Sequence, residues 1–207
     1  MQVLKEDVRE KIVHAALKVF RDSGYLSATM AQIAGEAGIS TGNIYRYFST
    51  KDALFEEVIP FEFAETVKSR LREVLSMANG VKNVFDGDLE SKQYREKAHE
   101  VLWRSAIERD RLVVLLDRSK GTKLESIKEE ILSLFELHAI RYAESMRKEF
   151  KLQPCQRLIL RLIYTSFLEN ISCILRKAKT DSEALAHLEA YRLYHLTGLK
   201  SFLEGHG

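Results

Sequence analysis

Thr29-Met-Ala-Gln-Ile-Ala-Gly-Glu-Ala-Gly-Ile-Ser-Thr-Gly-Asn-Ile-Tyr-Arg-Tyr-Phe-Ser-Thr-Lys51 reads as two short helices joined by a glycine turn, followed by a polar entry into a third helix. Thr29 is placed to cap the first of these, and Gln32 three residues later completes a capping-box pattern. Ile33, Ala34 and Ala37 give that helix an apolar face, and Gly38 follows where a left-handed backbone costs least. Ser40 is placed to cap the next helix, predicted to run to Phe48, so that Thr41, Gly42 and Asn43 form its exposed first turn. Small polar side chains at a helix start suit an approach to phosphates and base edges. Ile44 and Phe48, one turn apart, face inward. Tyr45, Arg46 and Tyr47 cannot share one direction, so at least two of them meet solvent or a ligand. Ser49 or Thr50 then caps the third helix, with Lys51 and Asp52 in its first turn. A polar-to-aromatic helix held on a small scaffold is a common way to present side chains to the major groove of DNA. The plainer reading of the same geometry is a three-helix packing unit with no partner.

Working outward, about Lys5 to Ser23 forms an amphipathic helix, with Val8, Ile12, Ala15, Ala16, Val19 and Phe20 on its buried stripe and Gly24 ending it. On the other side, residues 51 to about 78 read as a longer helix interrupted by Pro60, which predicts a kink or break near Val58 to Pro60. The chain accordingly divides into a DNA-binding headpiece, residues 1–50, and a body, residues 51–207. Residues 79–90 read as a loop, and the Asp86-Gly-Asp88 pattern within it as an ordinary turn, since the full calcium-loop pattern is absent. Helices follow over about 91–118, 122–151, 154–178 and 182–204. Two prolines and ten glycines in 207 residues, with abundant Leu, Glu, Lys, Arg and Ala, favour an all-α protein.

Several function classes lack their residues. The formal charge of +2 gives no whole-protein basic field, so positive charge for DNA is confined to a docking face. No apolar run approaches the roughly 20 residues that span a bilayer, and the N-terminus has no signal-peptide core, so a cytoplasmic protein without a membrane partner is expected. Cys155 and Cys173 read as free thiols, about 27 Å apart if they share one helix. Glu96-Lys-Ala-His99 is a single E-x-x-H where a di-iron bundle needs two, and Ser145-Met-Arg-Lys148 lacks the companion motifs of serine enzymes. There is no phosphate-binding glycine loop and no paired-cysteine metal site, so neither catalysis nor a cofactor is expected.

The body carries two further readings. In the helix after Pro154, Leu158, Ile159, Leu160, Leu162, Ile163, Phe167, Leu168, Ile171, Ile174 and Leu175 cover nearly the whole circumference. Such a helix needs burial on several sides, and pairing it and the final helix with symmetry mates would form a four-helix dimer interface. His138 lies on the stripe Ile127, Ile131, Leu134, Phe135, Tyr142 and Met146, where it is either a satisfied core histidine or a ligand group. With Trp103 and Ile107 from the preceding helix and Phe167 from the next, Phe135, His138 and Tyr142 could line an apolar small-molecule pocket or form plain core.

The segment Gly38-Ile-Ser-Thr-Gly-Asn-Ile-Tyr-Arg-Tyr-Phe-Ser-Thr-Lys-Asp-Ala-Leu54 closely resembles the DNA-binding signature of the tetracycline-repressor (TetR) family of transcriptional regulators. The pattern Ala16, Val19, Phe20, Gly24, Tyr25, Ala28 and Thr29 is similar to that family's first-helix segment, and the resemblance spans about residues 8–58. It implies a homodimeric, ligand-responsive regulator, repressing or activating, that places its recognition helices in successive major grooves of a pseudopalindromic operator. Thr41, Gly42, Asn43 and Arg46 are the candidates for groove contacts, Asn43 reading adenine and Arg46 guanine or a phosphate. Thr29, Tyr45, Tyr47 and Lys51 suit phosphates, and by resemblance Tyr45 and Lys51 fall on the family's usual phosphate contacts. The resemblance also implies an unidentified small-molecule effector in the body, acting through the helix that begins at Lys51 with Pro60 as pivot. The competing class is an all-helical carrier or enzyme whose N-terminal unit is merely structural. Such a protein has no reason to keep the Thr-Gly-Asn and Tyr-Arg-Tyr surface polar, aromatic and unpaired.

Overall fold

A computed structural model describes residues 2–79, 92–146 and 153–204, and every one of its regular elements is helical. The loop at 79–90, with Asp86 and Asp88, lies almost wholly outside the described residues, as do 147–152. The helices are α1 (Gln2–Ser23), α2 (Met30–Glu36), α3 (Thr41–Ile44), α4 (Lys51–Val58), α5 (Phe61–Asn79), α6 (Lys92–Ile107), α7 (Arg109–Val113), α8 (Ile127–Met146), α9 (Pro154–Lys177) and α10 (Asp181–Glu204). A π-helical turn, Val114–Arg118, continues α7.

Two compact units result, Met1–Thr66 with Arg109–Lys128, and Val67–Glu108 with Glu129–Gly207. The first unit thus extends beyond residue 50, where sequence reading set its limit. The reason is burial: Leu54, Phe55, Val58 and Ile59 belong to the same core as Ile12, Ala16, Phe20, Ile33 and Ile44. At the centre of that core Phe20, Tyr25 and Phe55 pack edge to face or tilted, with ring centroids 5.2–5.9 Å apart. Pairs of this kind contribute roughly 0.5–1.5 kcal/mol beyond their area. The chain breaks at Ile59–Pro60 as proline requires, and α5 restarts directly after it.

Residues 109–128 join the first unit although they are remote from it in sequence. Tyr25 N–H donates to the Arg118 carbonyl at 3.0 Å, and Arg21 pairs with Asp110 at 3.0 Å. The predicted helix over 91–118 is broken after Ile107, and the one predicted from 122 starts at Ile127. A local hydroxyl network holds the intervening turn: Ser119 Oγ donates to the Leu115 carbonyl at 2.9 Å, and Thr122 Oγ1 to that of Ser119 at 2.7 Å. Such side-chain bonds offer the backbone an alternative to helix.

In the second unit α10 packs on α6 and α9. Buried positions on α9 are Leu160, Tyr164, Leu168, Ser172 and Leu175, one stripe rather than the whole circumference. Leu158, Ile159 and Leu162 remain exposed, and on α10 so do Leu193 and Tyr194. Among the described residues α9 is long and apolar enough to cross a membrane by length and composition, with a mean hydropathy of 1.5 over 18 residues. That corrects the expectation that no run approaches such a length. The polar groups along α9 explain how it packs beside α8: Arg161 pairs with Glu136 at 2.9 Å and with Glu129.

Candidate nucleic-acid interface

Each helix of the recognition unit begins at its own cap. Thr29 Oγ1 accepts from Gln32 N–H at 3.2 Å while Gln32 Oε1 accepts from Thr29 N–H at 2.9 Å, the reciprocal box expected from the sequence. Gly38 adopts φ 67°, where a Cβ is unfavourable, and turns the chain from α2 toward α3. Ser40 Oγ accepts from Asn43 N–H at 3.3 Å, and Thr50 Oγ1 from Ala53 N–H at 3.0 Å. Regular α-helix spans only Thr41–Ile44. The chain then tightens, with Arg46 N–H bonded to the Asn43 carbonyl and Tyr47 N–H to that of Ile44, so the recognition element reaches Phe48 as a turn.

This element is anchored on one face and open on the other. Ile44 is wholly buried and Phe48 nearly so, with the Arg9 guanidinium 5.4 Å from the Phe48 ring centroid. Thr29, Ser40, Thr41, Gly42, Tyr45 and Arg46 are exposed, Tyr45 by 52%, while Asn43 and Tyr47 are half-buried. A Cβ built at Gly42 meets nothing within 4 Å. The structure therefore brings Thr41, Gly42, Asn43, Tyr45 and Arg46 together on one capped turn with no competing intramolecular core role. Lys51 behaves differently. It is half-buried at the start of α4, and its ammonium donates to the carbonyls of Tyr25 at 2.7 Å and Ala28 at 2.9 Å.

Residues 12–58 match the family described as "Bacterial regulatory proteins, tetR family". The match to the TetR family is thus confined to this N-terminal segment. It is similar to the HTH-type transcriptional regulator HbdR of Aromatoleum sp. (strain CIB), 51% identical over 49 residues, 24% of this chain and 21% of that protein. The HTH-type transcriptional regulator UidR of Escherichia coli (strain K12) is 34% identical over 73 residues, 35% of this chain and 37% of its own. The chain thus spans well under half the length of these two relatives. The structure of the fatty acid degradation regulator FadR from Bacillus halodurans has the same fold at 18% identity, with a TM-score of 0.51, covering 91% of this chain and 94% of that one. These likenesses establish a TetR-family helix-turn-helix domain followed by a helical body.

The residues proposed to line an effector pocket are only partly assembled. Phe135 and Phe167 meet edge to face at 5.7 Å. His138 and Tyr142 are buried further along α8, and burial, with the nearby Arg141 charge, holds the His138 imidazole below its usual pKa. Trp103 and Ile107 are each 40% exposed, on an open face of α6. Sequence reading missed Tyr164 and His195. Tyr164 stacks on Phe135 at 5.2 Å, and the His195 ring sits 4.0 Å from that of Phe167. Burial lowers the His195 pKa to about 4, so its imidazole is neutral, and its Nε2 has no hydrogen-bond partner among the described residues. The usable signal was the Tyr191/His195 spacing of one helical turn opposite Tyr164 and Phe167.

Proposed function

We propose that this chain is a homodimeric transcriptional repressor whose paired recognition elements enter successive major grooves of a pseudopalindromic operator and are released by a small-molecule effector. The observation that carries the reading is the open face of residues 41–46, a capped, core-anchored turn that presents Thr41, Gly42, Asn43, Tyr45 and Arg46 outward. Asn43 offers a bidentate amide for adenine, and Arg46 a forked donor for guanine or a phosphate. Thr29, Ser40, Tyr45 and Tyr47 have hydroxyls suited to phosphates, which set register without reading sequence.

Dimerisation is supported by the apolar residues left open on α9 and α10, namely Leu158, Ile159, Leu162, Leu193 and Tyr194. Exposed apolar stripes on two adjacent helices are covered economically by a second copy across a two-fold axis. The cluster of Phe135, Tyr164, Phe167 and His195 supports an effector site in the second unit, apolar apart from the Tyr164 hydroxyl and a neutral imidazole. Coupling of about 1–3 kcal/mol between effector and operator would change DNA affinity roughly 5–150-fold. The protein acts where DNA is, in the cytoplasm of a bacterial cell.

The test is selection of duplexes from a random-sequence pool by the purified protein, repeated with Asn43→Ala and Arg46→Ala. The parent enriches an inverted repeat, and each variant relaxes the preference at its own base positions, at about 1–3 kcal/mol per lost base contact. Enrichment of no sequence by the parent would falsify the reading.

A further inference from the structure

Buried hydrogen-bonding groups in folded proteins are nearly always paired, and each exception asks for a reason. His195 is such an exception in the second unit. The residue is only 9% exposed, and its Nε2 is buried with no hydrogen-bond partner among the described residues. An apolar side chain at the same place would avoid that cost. The neighbours are rings: Phe167 lies 4.0 Å from the imidazole and Tyr164 lies 5.5 Å from it. Phe167 leads outward to Tyr191, nearly parallel at 5.5 Å, and Tyr191 to Tyr194 at 6.1 Å. Tyr194 is 74% exposed, Tyr191 and Phe167 are half-buried, and Tyr164 is buried. A row of rings therefore runs from solvent to an unpaired buried nitrogen. Near its outer end the Tyr191 hydroxyl accepts from the amide of exposed Asn170 at 3.1 Å.

From this arrangement we propose that the cluster between α8, α9 and α10 takes an uncharged, planar aromatic ligand bearing a hydroxyl, a phenol or its fused-ring equivalent, which pairs with His195 Nε2. The proposal rests on the effector-site reading above and names the chemical class that such a site selects. Flat rings suit it because each ring contact given up on entry is replaced by one of the same kind with the ligand. A hydroxyl suits Nε2 because it both donates and accepts, so it pairs with either tautomer of a neutral imidazole, whereas a carbonyl pairs with one. A carboxylate does not suit. Burial keeps the imidazole uncharged. Burial first, and then the charge of Glu136, raise the pKa of the Tyr164 phenol, so an anion would meet a carboxylate field there. The Arg161 guanidinium is already shared between Glu136 and Glu129.

The experiment measures binding of naphthol, naphthalene and naphthoate to the full-length parent and to His195→Phe by ligand fluorescence. Melting curves accompany each protein, and release of a selected duplex is scored separately. The parent binds naphthol about tenfold or more tighter than naphthalene, each tenfold being about 1.4 kcal/mol, and binds naphthoate most weakly. His195→Phe brings naphthol to the naphthalene value and leaves naphthalene at its parental affinity. In nitrogen NMR of the parent, the His195 Nε2 resonance moves with naphthol and stays in place with naphthalene, a readout that needs no variant. Equal affinity for naphthol and naphthalene in the parent overturns the proposal, as does a preference that survives in His195→Phe. Tightest binding of naphthoate, an unmoved resonance, or no binding of any of the three overturns it equally. The duplex readout judges the effector reading by itself. Naphthol binding in the stated pattern without duplex release upholds the ligand class and sinks the effector reading, and release by naphthoate alone does the reverse.

Discussion

Gly42 separates what the fold needs from what DNA needs. Its backbone does not take a positive φ, and a Cβ there meets no other atom. Gly42→Ala is therefore expected to leave the fold intact and to stabilise it by up to about 1 kcal/mol through helix propensity. The same methyl group would stand on the face offered to the groove, so specific DNA affinity should fall; denaturation and DNA titration of one preparation check both directions. Tyr25 supplies a pH test. Burial first, and then the hydrogen bond to Asp52, push its phenol up to about 12 from 10.0. A folded pKa above the unfolded value favours the protonated form, so this contribution is complete below pH 10 and is lost as pH rises from about 10 to 12. Tyr25→Phe should flatten that fall in a melting series. His195 has the opposite sense: with its pKa lowered from 6.5 to about 4, the second unit should lose stability as pH falls between those values. His195→Phe should remove that loss.

At the scale of elements, caps and breaks are local chemistry, and they were readable in advance. Thr29, Ser40 and Thr50 each accept from the N–H three residues on, which is a spacing visible in sequence. Thr29→Ala should cost about 1 kcal/mol while Thr29→Ser costs little, as read by chemical denaturation. Gly38 and Pro60 were likewise legible because each residue dictates its own backbone. The π-helical turn at Val114–Arg118 and the docking of residues 109–128 onto the first unit were not. They depend on contacts such as Tyr25 N–H to the Arg118 carbonyl, which leave no period in either segment. Trp103 and Ile107 illustrate the same limit: apolar residues one turn apart suggested lining, yet both face outward. Lys51 was visible as a cation at the right place, but only the two carbonyls beneath it reveal where two of its donors go.

For the whole molecule, α9 and α10 leave Leu158, Ile159, Leu162, Leu193 and Tyr194 exposed among the described residues, and a second copy of the chain is the proposed cover. The protein should sediment at twice its 23.8 kDa chain mass. Leu162→Glu combined with Tyr194→Glu should return it to that mass without loss of helicity, since both side chains are exposed within the single chain. A monomer so formed should bind DNA far more weakly, because each half-site then acts alone. The most direct measurement is a footprint of the parent protein on the duplex it selects. The account predicts two symmetric protected half-sites with centres about 34–36 Å apart, or a longer spacing in keeping with a wider dimer, and loss of both together in the Asn43→Ala, Arg46→Ala double variant. A single protected half-site, or protection unchanged in that variant, would contradict it.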